Sequence, residues 1–378
     1  MHILVLGGTG AMGIPLVELL SKENTVYVTS RRPHESAGSA KYLRGDAKKK
    51  DFLADVLSIH RWDAVVDLMV RSEKELMAYL PLFLESTEQY VFISSARVYA
   101  ESGVPITEQS PRLLDISNDA EYLKTNEYAL AKAREEDLLI HSGKQNYTII
   151  RPSITYNTHR LQLGVLEKEN WLYRALHGRS IVFSNDVSEK LTTMTSGDDV
   201  AKGIASIIGE RAALGEVFHI TCHQKSLPWS EVLAIYLEVL ERHLGTRKIP
   251  VIMTDKSTNL SFQEKIYQLI YCRYFNRTFD NSKIARFCDV ETFTMPEQGL
   301  SSCLSQFLEN PVFSSIDWRI EAVNDRVAGE RTPLGEIPTT RGRMYYLAYR
   351  YDFVLIRKMM DLLMRVSRKI KHLKNNRT

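Results

Sequence analysis

The stretch Ile3-Leu4-Val5-Leu6-Gly7-Gly8-Thr9-Gly10-Ala11-Met12-Gly13 opens the chain, and its reading decides the fold. Four apolar residues read as a short buried strand. The glycines follow at once with the spacing G-x-x-G-x-x-G, and Ile14, Leu16, Val17, Leu19 and Leu20 continue as an apolar helix pattern. Strand, glycine turn and helix in that order make a dinucleotide cradle. Gly7 and Gly10 carry no Cβ, so the backbone, with Thr9, Ala11 and Met12 along the same loop, can approach a pyrophosphate closely. Gly13 lets the helix pack on the strand, and the helix N-terminus adds N–H donors and partial positive charge.

A second strand is predicted over 25–29, and its end meets the adenine ribose in such a fold. Ser30-Arg31-Arg32 stands there without an acid. An acid would bind the ribose 2′-hydroxyl of NAD(H), whereas Arg supplies a planar, permanently charged fork for the 2′-phosphate of NADP(H). NADP(H) is therefore expected over NAD(H). Asp46 and Ala47, after a third strand, are expected at the adenine edge.

Further on, Tyr128-Ala129-Leu130-Ala131-Lys132 puts a phenol and an ammonium one turn apart on a helix predicted over 121–140. A free tyrosine titrates near pH 10, at about 10, and a neighbouring ammonium favours the phenolate. Tyr90-Val91-Phe92-Ile93 reads as a strand, with Ser94-Ser95 leaving its carboxyl end, where ligands of open α/β sheets collect. Ser95 can hydrogen-bond a reacting oxygen there. Tyr128 would then be a base acting on an alcohol, with Lys132 beside it and within reach of the nicotinamide ribose.

On these motifs, with Arg151-Pro152-Ser153, Asp198-Asp199-Val200-Ala201 and Phe279-Asp280-Asn281-Ser282-Lys283, the chain resembles the extended short-chain dehydrogenase/reductases, the nucleotide-sugar epimerase/dehydratase group, over about residues 1 to 310. The resemblance implies a catalytic set of Ser95, Tyr128 and Lys132, with Leu68 and Pro152 also beside the cofactor. Tyr128 would exchange a hydroxyl proton while hydride passes between a sugar carbon and the nicotinamide. Family dehydratases carry an Asp-Glu pair after the catalytic Ser or Thr; Ala96-Arg97 stands here, which disfavours 4,6-dehydration. Arg97 reads equally as a ligand for an anionic substrate group and as a surface charge. Ile154 replaces an Asn frequent near the substrate phosphates, and Met69 stands where small residues usually face the cofactor. The expected activity is epimerisation or keto-reduction of a nucleotide-linked sugar, in surface polysaccharide precursor synthesis. The alternatives are a non-enzymatic NADP-binding regulator and a scaffold with an inert enzyme lobe.

Of the 378 residues, 44% are apolar, enough for a full core. The expected architecture is α/β: a Rossmann-type, doubly wound parallel sheet over 1–155 with a return at 190–222. A smaller substrate lobe would hold 156–189 and 223–340, and a basic helical tail 341–378. Cys222, Cys272, Cys288 and Cys303 have no metal or redox spacing and read as reduced core thiols of a cytoplasmic protein; no metal is expected. No apolar run reaches the roughly 18 residues of a spanning helix, and no leader pattern opens the chain. The tail holds eleven Lys and Arg against Asp352 and Asp361, while the rest is net −6. It reads as a peripheral membrane contact, or as a helix docked on its own body or on a partner subunit. A homodimer is the expected assembly. Nucleic acid is not an expected partner, because no nucleic-acid fold accompanies the charge.

Overall fold

A computed structural model of the protein describes residues 1–34, 38–245, 248–260 and 266–354. Short apolar runs become the strands β1 (His2–Leu6), β2 (Thr25–Ser30), β3 (Ala40–Arg44), β4 (Ala64–Asp67), β5 (Tyr90–Ile93), β6 (Tyr147–Pro152) and β7 (Glu216–Ile220). They form one seven-stranded sheet in the order β7-β6-β5-β4-β1-β2-β3, every pair parallel. The strand order reverses at β1, which lies between β4 and β2, and leaves a crevice at the carboxyl ends.

Helices cover both faces of the sheet, which is why its strands carry apolar residues on both sides. Ile3 and Val5 join one core with Leu16, Val17 and Leu20 of α1 (Gly13–Leu20). Leu4 and Leu6 point the other way, into a core with Leu53 of α2 (Lys50–Leu57), Leu80 and Phe83 of α3 (Glu73–Ser86) and Leu139 of α4 (Tyr128–Ile140). The chain then leaves the sheet for α5 (Lys168–Leu176) and comes back through α6 (Gly197–Ile207), whose Val200, Ile204 and Ile207 complete the α1 side before β7 pairs with β6. A separate apolar core joins Trp171 of α5, Tyr236 of α7 (Trp229–Leu244) and Leu300, Leu304 and Phe307 of α8 (Pro296–Glu309), with the Trp171 and Tyr236 rings stacked at 4.5 Å.

The helix expected over 121–140 is shorter. Residues Ala120–Leu123 form a single turn capped by Asp119, and α4 starts afresh at Tyr128, where the Glu127 carboxylate accepts the Ala129 N–H at 2.7 Å. The periodic apolar residues 129, 130, 133 and 139 belong to α4 alone. The thiols divide: Cys222 and Cys272 are buried, while Cys288 and Cys303 are half-buried, so only two are core thiols.

The first part of the basic tail is docked on the body. After α9 (Trp318–Ala328), helix α10 (Thr340–Arg350) buries Tyr346, Ala348 and Tyr349 against Ala322 and Val323. Beneath this contact Arg174 of α5 donates to Glu321 and Asp325, both at 2.8 Å, and Arg179 reaches Glu321 at 3.1 Å. The Tyr346 hydroxyl donates to Asp325 at 2.7 Å, so α10 is hydrogen-bonded into the same buried node. The remainder of the expected tail, 355–378, lies outside the described residues. Among the described residues no helix is long and apolar enough to cross a membrane, and no group of His, Cys, Asp and Glu is arranged to hold a metal.

Candidate active site

The glycine loop joins β1 to α1 at the crevice. Gly7 has φ +75, a backbone conformation that L side chains rarely adopt, and its N–H donates to Thr29 Oγ1 at 3.2 Å. A Cβ on Gly13 would come within 2.6 Å of the Gly8 backbone, so its absence sets the close approach of helix and loop. A Cβ on Gly10 would have only the Gly7 carbonyl at 3.8 Å, so this side of the loop is open. A Cβ on Gly7 would meet Met69 Sδ at 2.8 Å; the space beside Gly7 is filled by Met69. No acidic residue lies in the first turn of α1, and no side chain caps it. The helix N–H donors expected here are not free, however: Gly13 and Ile14 donate to the Gly10 carbonyl at 3.0 and 3.1 Å and Pro15 has none, so this end of α1 offers an anion its partial positive charge rather than unpaired first-turn donors.

Ser30 ends β2, its hydroxyl accepting the Arg32 N–H at 3.2 Å, and Arg31 and Arg32 are exposed. Asp46 caps its own turn by accepting the Lys48 N–H at 3.0 Å. Ala47 is buried and its carbonyl accepts from Arg71 at 3.1 Å. Leu68 follows β4, half-buried. Sequence reasoning missed the group that organises this side. Asp67 is buried in an ion pair with Arg71 at 2.6 Å, accepts the Tyr90 hydroxyl at 3.0 Å and accepts the Met69 N–H at 3.0 Å. Burial, with Asp67 alongside, pushes the Tyr90 phenol well above its ordinary range. The i, i+4 spacing of Asp67 and Arg71 was the signal available for the pair.

Ser94 and Ser95 leave β5 in different directions. Ser94 donates to the buried Glu136 at 2.5 Å, and Glu136 is paired with Arg151 at 2.7 Å; this serine fastens β5 to α4 and β6. Ser95 caps the short turn Ala96–Val98, accepting the Arg97 N–H at 3.2 Å, and lines a cavity of about 440 Å³. The same cavity is lined by Ala11 and Met12 of the glycine loop, by Arg97, Tyr128, Pro152 and Ile154, and by residues of the substrate-side segments. Tyr128 is 40% exposed, and the Arg97 guanidinium sits 5.1 Å above its ring while pairing with Glu127.

Lys132 does not line this cavity. It is 3% exposed, bonded through Nζ to Glu135 at 2.8 Å and lying 4.6 Å over the Phe92 ring. Burial pushes the Glu135 carboxyl up, and the Lys132 ammonium recovers only part of that. Thus the fold brings Ser95, Tyr128, Arg97, Pro152 and the glycine loop to one cavity, with Lys132 one turn along α4 from Tyr128 and ion-paired beneath it. The cavity also holds a group that sequence reasoning passed over: Cys272, Arg273 and Arg277, from a segment where no motif was visible.

This fold and site define a class, the dinucleotide-binding α/β enzymes whose chemistry sits at the carboxyl ends of the strands. Residues 3–220 match the NAD dependent epimerase/dehydratase family, and the chain belongs to it. Among solved structures, the dTDP-glucose 4,6-dehydratase of Bacillus anthracis in complex with NAD is similar, with TM-score 0.61 and 17% identity over 82% of this chain and 97% of that one. The UDP-glucuronic acid 4-epimerase of Bacillus cereus, in complex with UDP-glucuronic acid and NAD, has TM-score 0.59 and 18% identity, over 82% of this chain and all (100%) of that one. The UDP-glucose 4-epimerase of Bifidobacterium longum, in complex with NAD+ and UDP, has TM-score 0.55 and 17% identity, over 82% and 99% of the two chains. No curated protein matches the chain.

Proposed function

We propose that the protein catalyses the epimerisation or keto-reduction of a nucleotide-linked sugar with NADP(H), in the supply of precursors for surface polysaccharide. The observation that carries this reading is the convergence of Ser95, Tyr128 and the glycine loop on one cavity at the carboxyl ends of β1, β5 and β6. The cradle fits a dinucleotide: the Gly10 side is open, and the first turn of α1 has neither acid nor side-chain cap. Residues 7–13 would hold the pyrophosphate, Ser30, Arg31 and Arg32 the adenine ribose, Asp46, Ala47 and Leu68 the adenine, and Pro152 the nicotinamide side. When bound, the cofactor supplies the hydride acceptor and donor.

The chain's own residues manage the proton. Ser95 Oγ hydrogen-bonds the reacting oxygen and fixes its position. Tyr128 removes the hydroxyl proton when the sugar carbon is oxidised and returns it on reduction. A phenol does this poorly at neutral pH unless a cation favours the phenolate. One cation is at hand in the cavity, Arg97 above the ring; Lys132, one turn along the helix, is buried and ion-paired with Glu135. Ala96 and Arg97 follow Ser95 and carry no carboxyl group for withdrawing a carbon-bound proton, which favours epimerase or reductase over dehydratase. Incubation with a panel of nucleotide sugars and either cofactor tests this reading. Sugar interconversion without net cofactor use means epimerase, and NADPH consumption means reductase. Cofactor binding without turnover of any sugar would instead support the non-enzymatic binder.

A further inference from the structure

The cavity holds more buried positive charge than its own acids neutralise. Arg273 and Arg277 are almost fully buried, and among the described residues neither forms an ion pair with a carboxylate. Their hydrogen bonds go elsewhere. Arg273 donates to the Gly164 carbonyl at 2.8 Å and to Cys272 Sγ at 3.0 Å, and Arg277 donates to the Tyr99 carbonyl at 2.9 Å and the Ala100 carbonyl at 3.1 Å. Carbonyls satisfy the N–H groups but leave the charge uncompensated, and an uncompensated charge out of water is costly. Arg97 joins them from the Ser95 turn, and its Nε is buried without a hydrogen-bond partner. Its one acid, Glu127, is shared with the Ala129 N–H and the Tyr122 hydroxyl. Glu167, the acid lining the cavity, is engaged by Gln162 and by Arg160 at 4.0 Å. The charge acts on its surroundings: burial pushes the Cys272 thiol up, yet Arg273, Arg277 and Arg97 outweigh burial and hold it below its ordinary value.

The location of this charge narrows the ligand. Arg97 lies two residues beyond Ser95 and over the Tyr128 ring, and Arg277 is bonded to the backbone of the same loop at Tyr99 and Ala100. An anion held here sits at the reacting end of a substrate whose carbon meets Ser95 and Tyr128. Guanidinium forks match a carboxylate in plane and in charge. We propose that the sugar itself is acidic: a nucleotide-linked hexuronate or comparable sugar acid, its carboxylate received by Arg97, Arg273 and Arg277. This rests on the reading of the cavity as a nucleotide-sugar site and adds the charge of the sugar. A diphosphate is the other source of anionic oxygens in such a substrate, and the test separates the two.

Titration calorimetry of the full chain with UDP-glucuronate, UDP-glucose and UDP alone, in the presence of saturating cofactor, gives the answer as a ratio. A mismatched base lowers all three arms alike. The expected result is that UDP-glucuronate binds at least about tenfold more tightly than UDP-glucose, as one charge-assisted contact gives. Arg97→Gln should remove most of that advantage and leave UDP affinity within about twofold; Arg273→Gln should act the same way if it folds. Equal binding of the two sugars by the unaltered protein overturns the proposal even where UDP-glucose is turned over, in which case the nucleotide-sugar reading stands. Parallel loss of UDP and UDP-glucuronate in Arg97→Gln assigns the guanidinium to the diphosphate and overturns it too. Absence of binding by all three defeats both readings.

Discussion

Replacing Glu321 with Gln should make the protein more stable than the unaltered chain at pH 8 and remove that difference near pH 4.5. Glu321 lies under the α9–α10 contact, facing Arg174, Arg179, Asp325 and Thr332. Burial pushes its carboxyl up from an ordinary 4.5 to about 7, a rise that Arg174 and Arg179 reduce and Asp325 enhances. The folded protein therefore binds this proton more tightly than the unfolded chain. Stability from the group is complete below about 4.5 and is lost as pH rises through about 7. That interval corresponds to about 3 kcal/mol. Gln keeps the shape and the acceptor oxygen that Arg174, Arg179 and Thr332 donate to but does not titrate, so the difference between the two proteins isolates this single group. For a chain of this length about 3 kcal/mol corresponds to roughly 4 °C in melting temperature. Melting curves of both proteins between pH 4.5 and 8.5 should show the gap opening through the middle of the range. A gap that stays constant with pH, or closes as pH rises, would refute the reasoning.

Tyr128→Phe should lower kcat by roughly a hundred- to ten-thousand-fold while leaving cofactor affinity within about twofold, since only the hydroxyl is removed; steady-state kinetics and cofactor titration check both halves. Arg31→Ala should weaken NADP(H) by about 1.5–3 kcal/mol and leave NAD(H) nearly unchanged, because one charge-assisted contact to the 2′-phosphate is lost; equal weakening in fluorescence titrations would remove the NADP(H) assignment. Truncation after Thr339 should lower the melting temperature and expose Trp318 and Val323 to solvent, because Tyr346 and Tyr349 no longer cover them. If the truncated protein instead melts at the same temperature and loses only its binding to anionic vesicles, the tail's main contact is with membranes.

The cradle was legible because its constraints are local. Close approach demands glycine at fixed offsets, and the strand before and the helix after announce themselves by period. Ser95 and Tyr128 were legible for the same reason: each stands at the junction of two elements, one at the end of β5 and one at the start of α4. The surroundings of Lys132 were not. Its partner Glu135 is one turn away, but only packing of α4 on Phe92 decides that the pair is buried. The join at residues 124–127 was passed over although the polar run Lys124-Thr125-Asn126-Glu127 interrupts the apolar spacing there; what restarts the helix, the cap made by Glu127, depends on one side-chain rotamer. Arg273 and Arg277 were invisible as a group because their meeting with Arg97 joins segments about 180 residues apart. Docking of α10 was one of two open readings of the tail, and the burial of its three residues, Tyr346, Ala348 and Tyr349, decides for the docked helix up to Arg350.

Position 7 is closed by two independent locks. One is torsional, the positive φ that carries the chain from β1 into the loop; the other is steric, the Met69 sulfur that occupies the place of a side chain. Met69→Ala frees the space beside Gly7 without releasing the torsion, so Gly7→Ala should remain damaging in that background. The two substitutions will fall short of rescuing one another in a double-mutant cycle, and the shortfall measures the torsional share directly. Met69 is therefore the adjustable side of this close contact and Gly7 its fixed one.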